Sequence, residues 1–342
     1  MSGSREDAAG KVRRPKRRHG FLAVLAVAGV SAALSRASAD RAVPAASQTP
    51  AAMVFGDAFW KHWGDGRGEL SGYDLTFPRY GQLRKGMAVT VFVTETFSSS
   101  LRVKSDPGKH PASDEFPVVK LNLVEDFATG IYDYNLLTSA YIALTPVQGR
   151  PAGAATKVSF SSQEWCGGVW GQVLFDAGSA RLTSHSYFDG EADQSRSMAV
   201  PADALSGDAI LLWARGLAAP MVRPGERREI PLLRSIEDAR LGHRPVEMLR
   251  AALSRDSSSE RITVPAGTFD VERSTVEIAG GATWRIAVEA AEPHRIVQWE
   301  ASDGQKASLL GSERLEYWKL HGEGQETFLS RLGLKPRPPR TP

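Results

Sequence analysis

The chain has one cysteine, Cys166, so an intrachain disulfide and the paired-cysteine zinc motifs are both excluded. Histidine is also scarce. Its seven copies are scattered and form no H-E-x-x-H pair. No G-x-S-x-G elbow, no S-x-x-K with its companion motifs and no G-x-x-x-x-G-K-[ST] phosphate loop occurs. The usual signatures of a metalloenzyme, a serine hydrolase and a nucleotide hydrolase are therefore missing. No period of 20–50 residues repeats, which argues against a propeller or solenoid. Long apolar runs are missing too. The longest, Gly20–Leu34, has 15 residues, short of the roughly 20 a membrane span needs.

That run has a context. Lys11, Arg13, Arg14, Lys16, Arg17 and Arg18 precede it, and the small-x-small triplet Ala37-Ser38-Ala39 follows. A basic head, a short apolar middle and an A-x-A end read as a secretory signal peptide over residues 1–39, cleaved after Ala39. Arg17-Arg18-His19-Gly20-Phe21-Leu22 is similar to a twin-arginine signal, and an ordinary basic head fits as well. No cysteine follows the run to carry a lipid anchor. The expectation is an exported protein, periplasmic or envelope-associated, with no transmembrane anchor after cleavage.

The leader also dominates the charge. The whole chain holds 42 basic and 39 acidic side chains, net +3. Residues 1–39 contain 8 and 2 of these, leaving 34 and 37, net −3. The whole-chain pI near 9.0 is thus no argument for nucleic-acid binding. For the odd thiol in an oxidising compartment, burial is the expectation, because free cysteine is among the most buried residue types.

Beyond the leader, β patterning prevails. Residues 40–54 read as a disordered linker. Met87–Phe97 and Val118–Val124 alternate as half-buried strands do, and Thr156–Trp165, Val169–Phe175 and Leu182–Phe188 follow, with Gly167-Gly168 expected as a hairpin turn. Val271–Ile278, Thr283–Val288, Ile296–Glu300 and Lys306–Leu310 continue the style, punctuated by Gly280-Gly281, Pro293 and Asp303-Gly304, the last expected as a type I′ hairpin turn with positive φ at both central residues. The spacing of Leu205, Ile210, Leu211, Trp213 and Leu217 predicts an amphipathic helix over Asp203–Leu217, and Asp57–Trp63 reads as a shorter one. The fold class expected is mainly β. It comprises antiparallel sheets in two β-rich lobes at 55–198 and 199–320, able to share one sheet, with one or two short helices and a flexible tail over 321–342.

Chemistry is thinly marked. His185, Asp189, Glu191 and Asp193 make an oxygen-rich loop without the spacing of an EF-hand, and a solvated acidic loop is the simpler reading. Tryptophans cluster as Trp60 and Trp63, Trp165 and Trp170, Trp284 and Trp299; they suit a packed core or the lining of an apolar cavity. Between Trp63 and Gly81, five glycines lie among Asp65, Arg67, Glu69, Asp74 and Arg79, in keeping with a strand with glycine turns or with a polar binding rim.

Several blocks carry a resemblance. Phe59–Tyr73, Arg79-Tyr80-Gly81, Val91–Glu95, Ser161–Cys166 and Ser186–Glu191 look like one family of uncharacterised bacterial exported proteins. Some members carry the name septum formation inhibitor Maf. The Ser-x-Ser-Pro-Arg-Arg start of the nucleotide pyrophosphatases of that name has no counterpart here, so no activity and no catalytic residue is carried over. The second half, through Asp203–Leu217, Val264–Val271 and Pro293–Trp299, resembles the DUF3108-type envelope domain. That resemblance implies that the antiparallel sheets are curved, or a half-barrel, like those of lipoprotein-carrier folds.

The expected function is non-catalytic binding of a lipid or other apolar, envelope-derived ligand. The alternatives are an envelope structural or assembly protein acting through protein contacts, and an exported hydrolase. The residues nominated for ligand contact are Trp63, Asp65, Glu69, Arg79, Tyr80, Glu95, Glu164, Trp165 and Cys166. No cofactor, metal or nucleic-acid partner is expected.

Overall fold

A computed structural model describes residues 53–335. The expected signal peptide, most of the expected linker and the proline-rich end after Lys335 lie outside the described residues.

The first half runs α1 (Asp57–Trp63), β1 (Gly68–Arg79), β2 (Gln82–Ser98), β3 (Glu115–Thr129), β4 (Tyr132–Ala143), β5 (Ala155–Glu164), β6 (Gly167–Asp176), β7 (Ser179–Ser186) and β8 (Gln194–Ala199). The second half runs β9 (Leu205–Ser206), α2 (Ile210–Ala214), β10 (Arg227–Leu233), α3 (Ile236–Leu241), β11 (Met248–Arg255), β12 (Glu260–Val264), β13 (Gly267–Ile278), β14 (Thr283–Glu289), β15 (Ile296–Ala301) and β16 (Lys306–Leu315).

Among the described residues these sixteen strands form a single curved sheet, in the order β8-β7-β6-β5-β4-β3-β2-β1-β16-β15-β14-β13-β11-β10-β9, with β12 hung on β13. Every pairing is antiparallel except the short one between β9 and β10. The two expected lobes therefore share one sheet, joined where β1 pairs with β16 from Gly68↔Leu315 to Thr76↔Lys306.

Alternation decides which side each residue faces. Tyr73, Leu75 and Phe77 of β1, Ala88 and Phe92 of β2, and Val119, Leu121 and Leu123 of β3 lie on one face, and all are buried in one large core. The same core takes in Ile286, Val288 and Trp299 from the far half, so the sheet curls its two wings around a common interior.

The segment Ala204–Leu217, between β8 and β10, fills that interior. From Ala204 to Leu217, all residues are buried but Gly207 and Gly216. This overturns the expected amphipathic helix over 203–217. Helix α2 spans only Ile210–Ala214, preceded by the 3-10 turn Gly207–Ala209 and by β9. A segment buried on all sides is a plug, which has no solvent face to set a long helical stripe. Arg255 closes its C-terminus by donating to Trp213 O and Ala214 O, each at 3.0 Å.

Two turns differ from their sequence reading. Gly167 pairs with Glu164 inside the β5–β6 ladder, so Trp165-Cys166 is the turn, not Gly167-Gly168. The Asp303-Gly304 turn is a three-residue loop with positive φ at Gly304 alone (φ 99), closed by Gly304 N to Ala301 O at 3.0 Å.

The tail expected to be flexible from residue 321 is described through Lys335. Gln325–Leu332 form a 3-10 helix, and Leu332 and Leu334 are buried against Leu70 and Val91 on the outer face of β1 and β2. Gly72 makes room for this contact, since a Cβ there would stand 2.3 Å from Leu332 O. Among the described residues no helix is long and apolar enough to cross a membrane.

Candidate functional site

Consecutive antiparallel hairpins put the β1–β2, β3–β4, β5–β6 and β7–β8 turns at one end of the sheet. The β13–β14 and β15–β16 turns come to the same end, because Thr76 of β1 pairs with Lys306 and Trp284 with Ala301. At this end a cavity of about 300 Å³ opens between the sheet and the plug. Phe77, Leu121, Leu123, Ile210, Leu211 and Leu232 line its interior, with Trp284 and Ile278 on the far wing. Exposed Gly242, Arg244, Gly281 and Asp303 stand at its mouth.

Carboxyl groups line or underlie this apolar space. Glu125 continues the core-facing series Leu121, Leu123 and is 1% exposed. It accepts one hydrogen bond from buried Gln305 at 2.8 Å. Glu237, on α3, lines the cavity and accepts from the Thr138 hydroxyl at 3.3 Å. Asp208 accepts from Ser206 Oγ at 2.9 Å and from Ile236 N at 3.0 Å, so it also caps the start of α3. Burial comes first among the causes that raise all three pKa values. Asp208 is pushed up to about 6. Glu237 is pushed up to about 7, with the Asp208 charge adding to burial. Glu125 lies well above the carboxylate range, through burial and then the neighbouring Glu237. The cations that line the cavity already have partners. Arg234 pairs with Asp238 and Glu247 at 2.8 and 3.0 Å, Arg244 pairs with Asp238, and Arg79 donates to Leu241 O at 3.0 Å.

The nine nominated residues fall in three places. Arg79, Tyr80, Glu164, Trp165 and Cys166 come together at the rim beside the mouth. Tyr80 and Gly81 both have positive φ (54 and 70), forming the two-residue turn that lets Arg79 pair with Gln82. A tyrosine in this conformation is strained by about 1 kcal/mol. Its hydroxyl meets the Tyr134 hydroxyl at 2.6 Å, and the Arg79 guanidinium lies 4.4 Å from its ring centre. The aromatics continue along the rim. Tyr132 lies 6.0 Å from Tyr134 and 6.2 Å from Trp165 by ring centroids, and Tyr187 packs over Gly167. Trp165 and Tyr187 are 73% and 68% exposed. Beneath them Glu164 meets Arg240 at 3.4 Å, and Phe188 covers that guanidinium at 3.8 Å.

Cys166 is exposed, against the expectation of burial, because it occupies a turn rather than a strand. Its thiol pKa is raised, by desolvation and then by Glu164. A nucleophilic cysteine needs the opposite shift.

Trp63, Asp65 and Glu69 lie at the other end of β1, in an ion-pair knot. Glu69 and Arg215 form a bidentate pair at 2.6 and 3.2 Å, both essentially buried, with Phe92 and Trp63 rings 4.4 and 5.1 Å from the guanidinium. Asp65 accepts from Arg314 at 2.6 Å. Glu95 sits apart, paired with Lys120 at 2.6 Å. These four do not face the cavity and read as architecture.

The other sequence suggestions sort similarly. His185 and Glu191 do not converge on a common point; His185 meets Asp193 at 2.8 Å, while Glu191 pairs with His243. Among the described residues no group of three His, Cys, Asp or Glu side chains is placed to hold a metal. Trp63 and Trp299 are core, Trp284 lines the cavity, and Trp60, Trp165 and Trp170 show surface.

Glu125, Asp208 and Glu237 were not among the nominated residues. Glu125 had a sequence signal, a charged side chain at a core-facing step of an alternating strand. Asp208 had one too, a lone acid in an apolar run. Glu237 had none, because only the fold brings α3 over the sheet. No family model, curated protein or solved structure matches this chain.

Proposed function

We propose that this protein is a binding protein for a small, mainly apolar molecule, which it holds without transforming. The observation that carries this reading is the cavity of about 300 Å³, lined largely by apolar side chains and open at one end of the sheet. Ligand sites are concave, mostly apolar and furnished with a few convergent polar groups, and they start near this volume. An engineered cavity of about 150 Å³ takes up benzene, so this one suits roughly a dozen non-hydrogen atoms. A short chain or one to two rings fits; a two-chain lipid exceeds it. The leader read in residues 1–39 and the resemblance to exported envelope proteins support placing this binding outside the cytoplasm. They also support an envelope-derived ligand.

The test uses naphthalene, a neutral probe of matching size. Ligand-observed NMR is expected to show saturable uptake by the wild type and loss of uptake in Leu123→Trp, which fills the cavity while keeping the far-UV circular dichroism. Uptake that ignores Leu123→Trp overturns the reading. A second reading, assembly with another envelope protein, is favoured by the exposed Trp165 and Tyr187 of the rim. It predicts that Trp165→Ser abolishes an association that Leu123→Trp leaves intact.

A further inference from the structure

The polar part of the cavity carries both signs of charge, but its cations already have partners and Glu237 has no cation. Glu237 presents its carboxyl to the cavity from α3, with Thr138 of β4 as its hydrogen-bond donor. Around it stand Glu125 from β3, Asp208 from the 3-10 turn before α2, and Asp238 from its own helix. Gln305, a neutral amide, is the polar partner of Glu125. The lining cations Arg234 and Arg244 are bound to Asp238, and Arg79 to Tyr134 and the Leu241 carbonyl. No guanidinium or ammonium group is paired with Glu125, Asp208 or Glu237 among the described residues.

A carboxylate in an apolar enclosure without a cation has two outcomes: it keeps its proton, or a cation joins it. Glu125 takes the first course, since Glu237 beside it and its own burial both favour the neutral form. Glu237 faces open space and has room for the second. Building on the binding reading above, we infer that the ligand is an apolar primary amine, whose ammonium group pairs with Glu237 and the Thr138 hydroxyl while its hydrocarbon body lies against Leu121, Leu123 and Ile210. A carboxylate or phosphate ligand would bring further negative charge beside Glu237, which has no cation of its own, and a neutral alcohol would leave it without one. An ammonium group supplies the missing counter-charge in a low-dielectric site, where a charged hydrogen bond is strongest.

Three probes of one body separate the heads: 4-phenylbutylamine, 4-phenylbutanol and 4-phenylbutanoate, measured by isothermal titration calorimetry at pH 8. Each has about a dozen non-hydrogen atoms, the number the cavity suits. The amine is expected to bind at least tenfold tighter than the alcohol and the acid weakest. Glu237→Gln should bring the amine down to the alcohol's affinity, with alcohol binding in the same variant reporting that the cavity persists. The amine-to-alcohol ratio should also shrink from pH 8 to pH 5, as the acid cluster takes up protons. Alcohol binding as tight as the amine overturns the amine inference and leaves the cavity reading standing. Failure of all three to bind overturns both. If Glu237→Gln does not fold, Glu237→Met, which also removes the carboxyl, replaces it, and an unchanged amine preference there counts against the inference.

Discussion

Replacing Glu69 by Gln is expected to destabilise this protein by about 3–5 kcal/mol, the range for breaking one partner of a buried pair. Glu69 and Arg215 side chains are 2% and 1% exposed, and Arg215 reaches Glu69 through two nitrogens. A third hydrogen bond, to Pro293 O at 2.8 Å, fixes the guanidinium in place. Gln keeps the volume of Glu, so no cavity forms, and the whole effect comes from a guanidinium left in an apolar cage of Trp63 and Phe92. An exposed pair would contribute only about 0–1 kcal/mol. Urea unfolding at pH 7, followed by tryptophan fluorescence, measures the difference directly. Raising salt to 1 M should leave that difference unchanged, since buried pairs are poorly screened. The double variant Glu69→Leu with Arg215→Met should recover most of the loss, because apolar replacement of an entire buried pair is often neutral. A loss below about 1 kcal/mol, or a double variant no better than the single one, would refute the reasoning.

Three further outcomes are expected. Asp208 and Glu237 have folded pKa values above their unfolded ones, so their stabilising contribution is full below about pH 4 and is lost as pH rises through about 6 and 7. Glu237→Gln should therefore gain stability relative to the wild type between pH 5 and pH 8, and a pH-independent difference in urea midpoints would contradict this. Gly72→Ala drives a methyl group into Leu332 O and should undock the C-terminal 3-10 helix, losing about 3 kcal/mol for two buried leucines and speeding tryptic cleavage at Arg331; unchanged cleavage would count against it. Cys166 should react with Ellman's reagent in the native protein, more slowly than free cysteine at pH 7.5, whereas a thiol silent until urea is added would place it in the interior.

The strands were legible in the sequence because a period of two is imposed wherever one face of a strand is buried. Met87–Phe97 and Val118–Val124 fall inside β2 and β3 for that reason. Glycine at a turn was a weaker guide. Gly280-Gly281 marks a real turn, but Gly167 lies in a ladder and the neighbouring Trp165-Cys166 turns the chain. Apolar spacing misled at 203–217, since a plug buried on all sides satisfies a helical stripe and several other patterns. Helix α3 was missed although Ser235 caps it by accepting from Asp238 N at 3.1 Å; six residues are too few to set a period. The rim residues Arg79, Tyr80, Glu164, Trp165 and Cys166 stand in two separate stretches of the sequence, and only the fold brings them together. The cavity acids come from three distant stretches, and pairwise proximity across roughly 110 residues has no local signature.

The pairing of β1 with β16 also sets the order of events as the chain folds. Ser71 and Ser312 meet by hydroxyl contact across 241 residues. Strands β1 to β8 are joined by successive hairpins, and each can pair with its predecessor as soon as it is made. The outer edge of β1 has no such local partner. It must wait, with its backbone donors and acceptors unpaired, until β16 arrives. Closing this central seam therefore joins the parts of the sheet most distant along the chain, and it carries a larger loop-closure entropy than any hairpin in either wing.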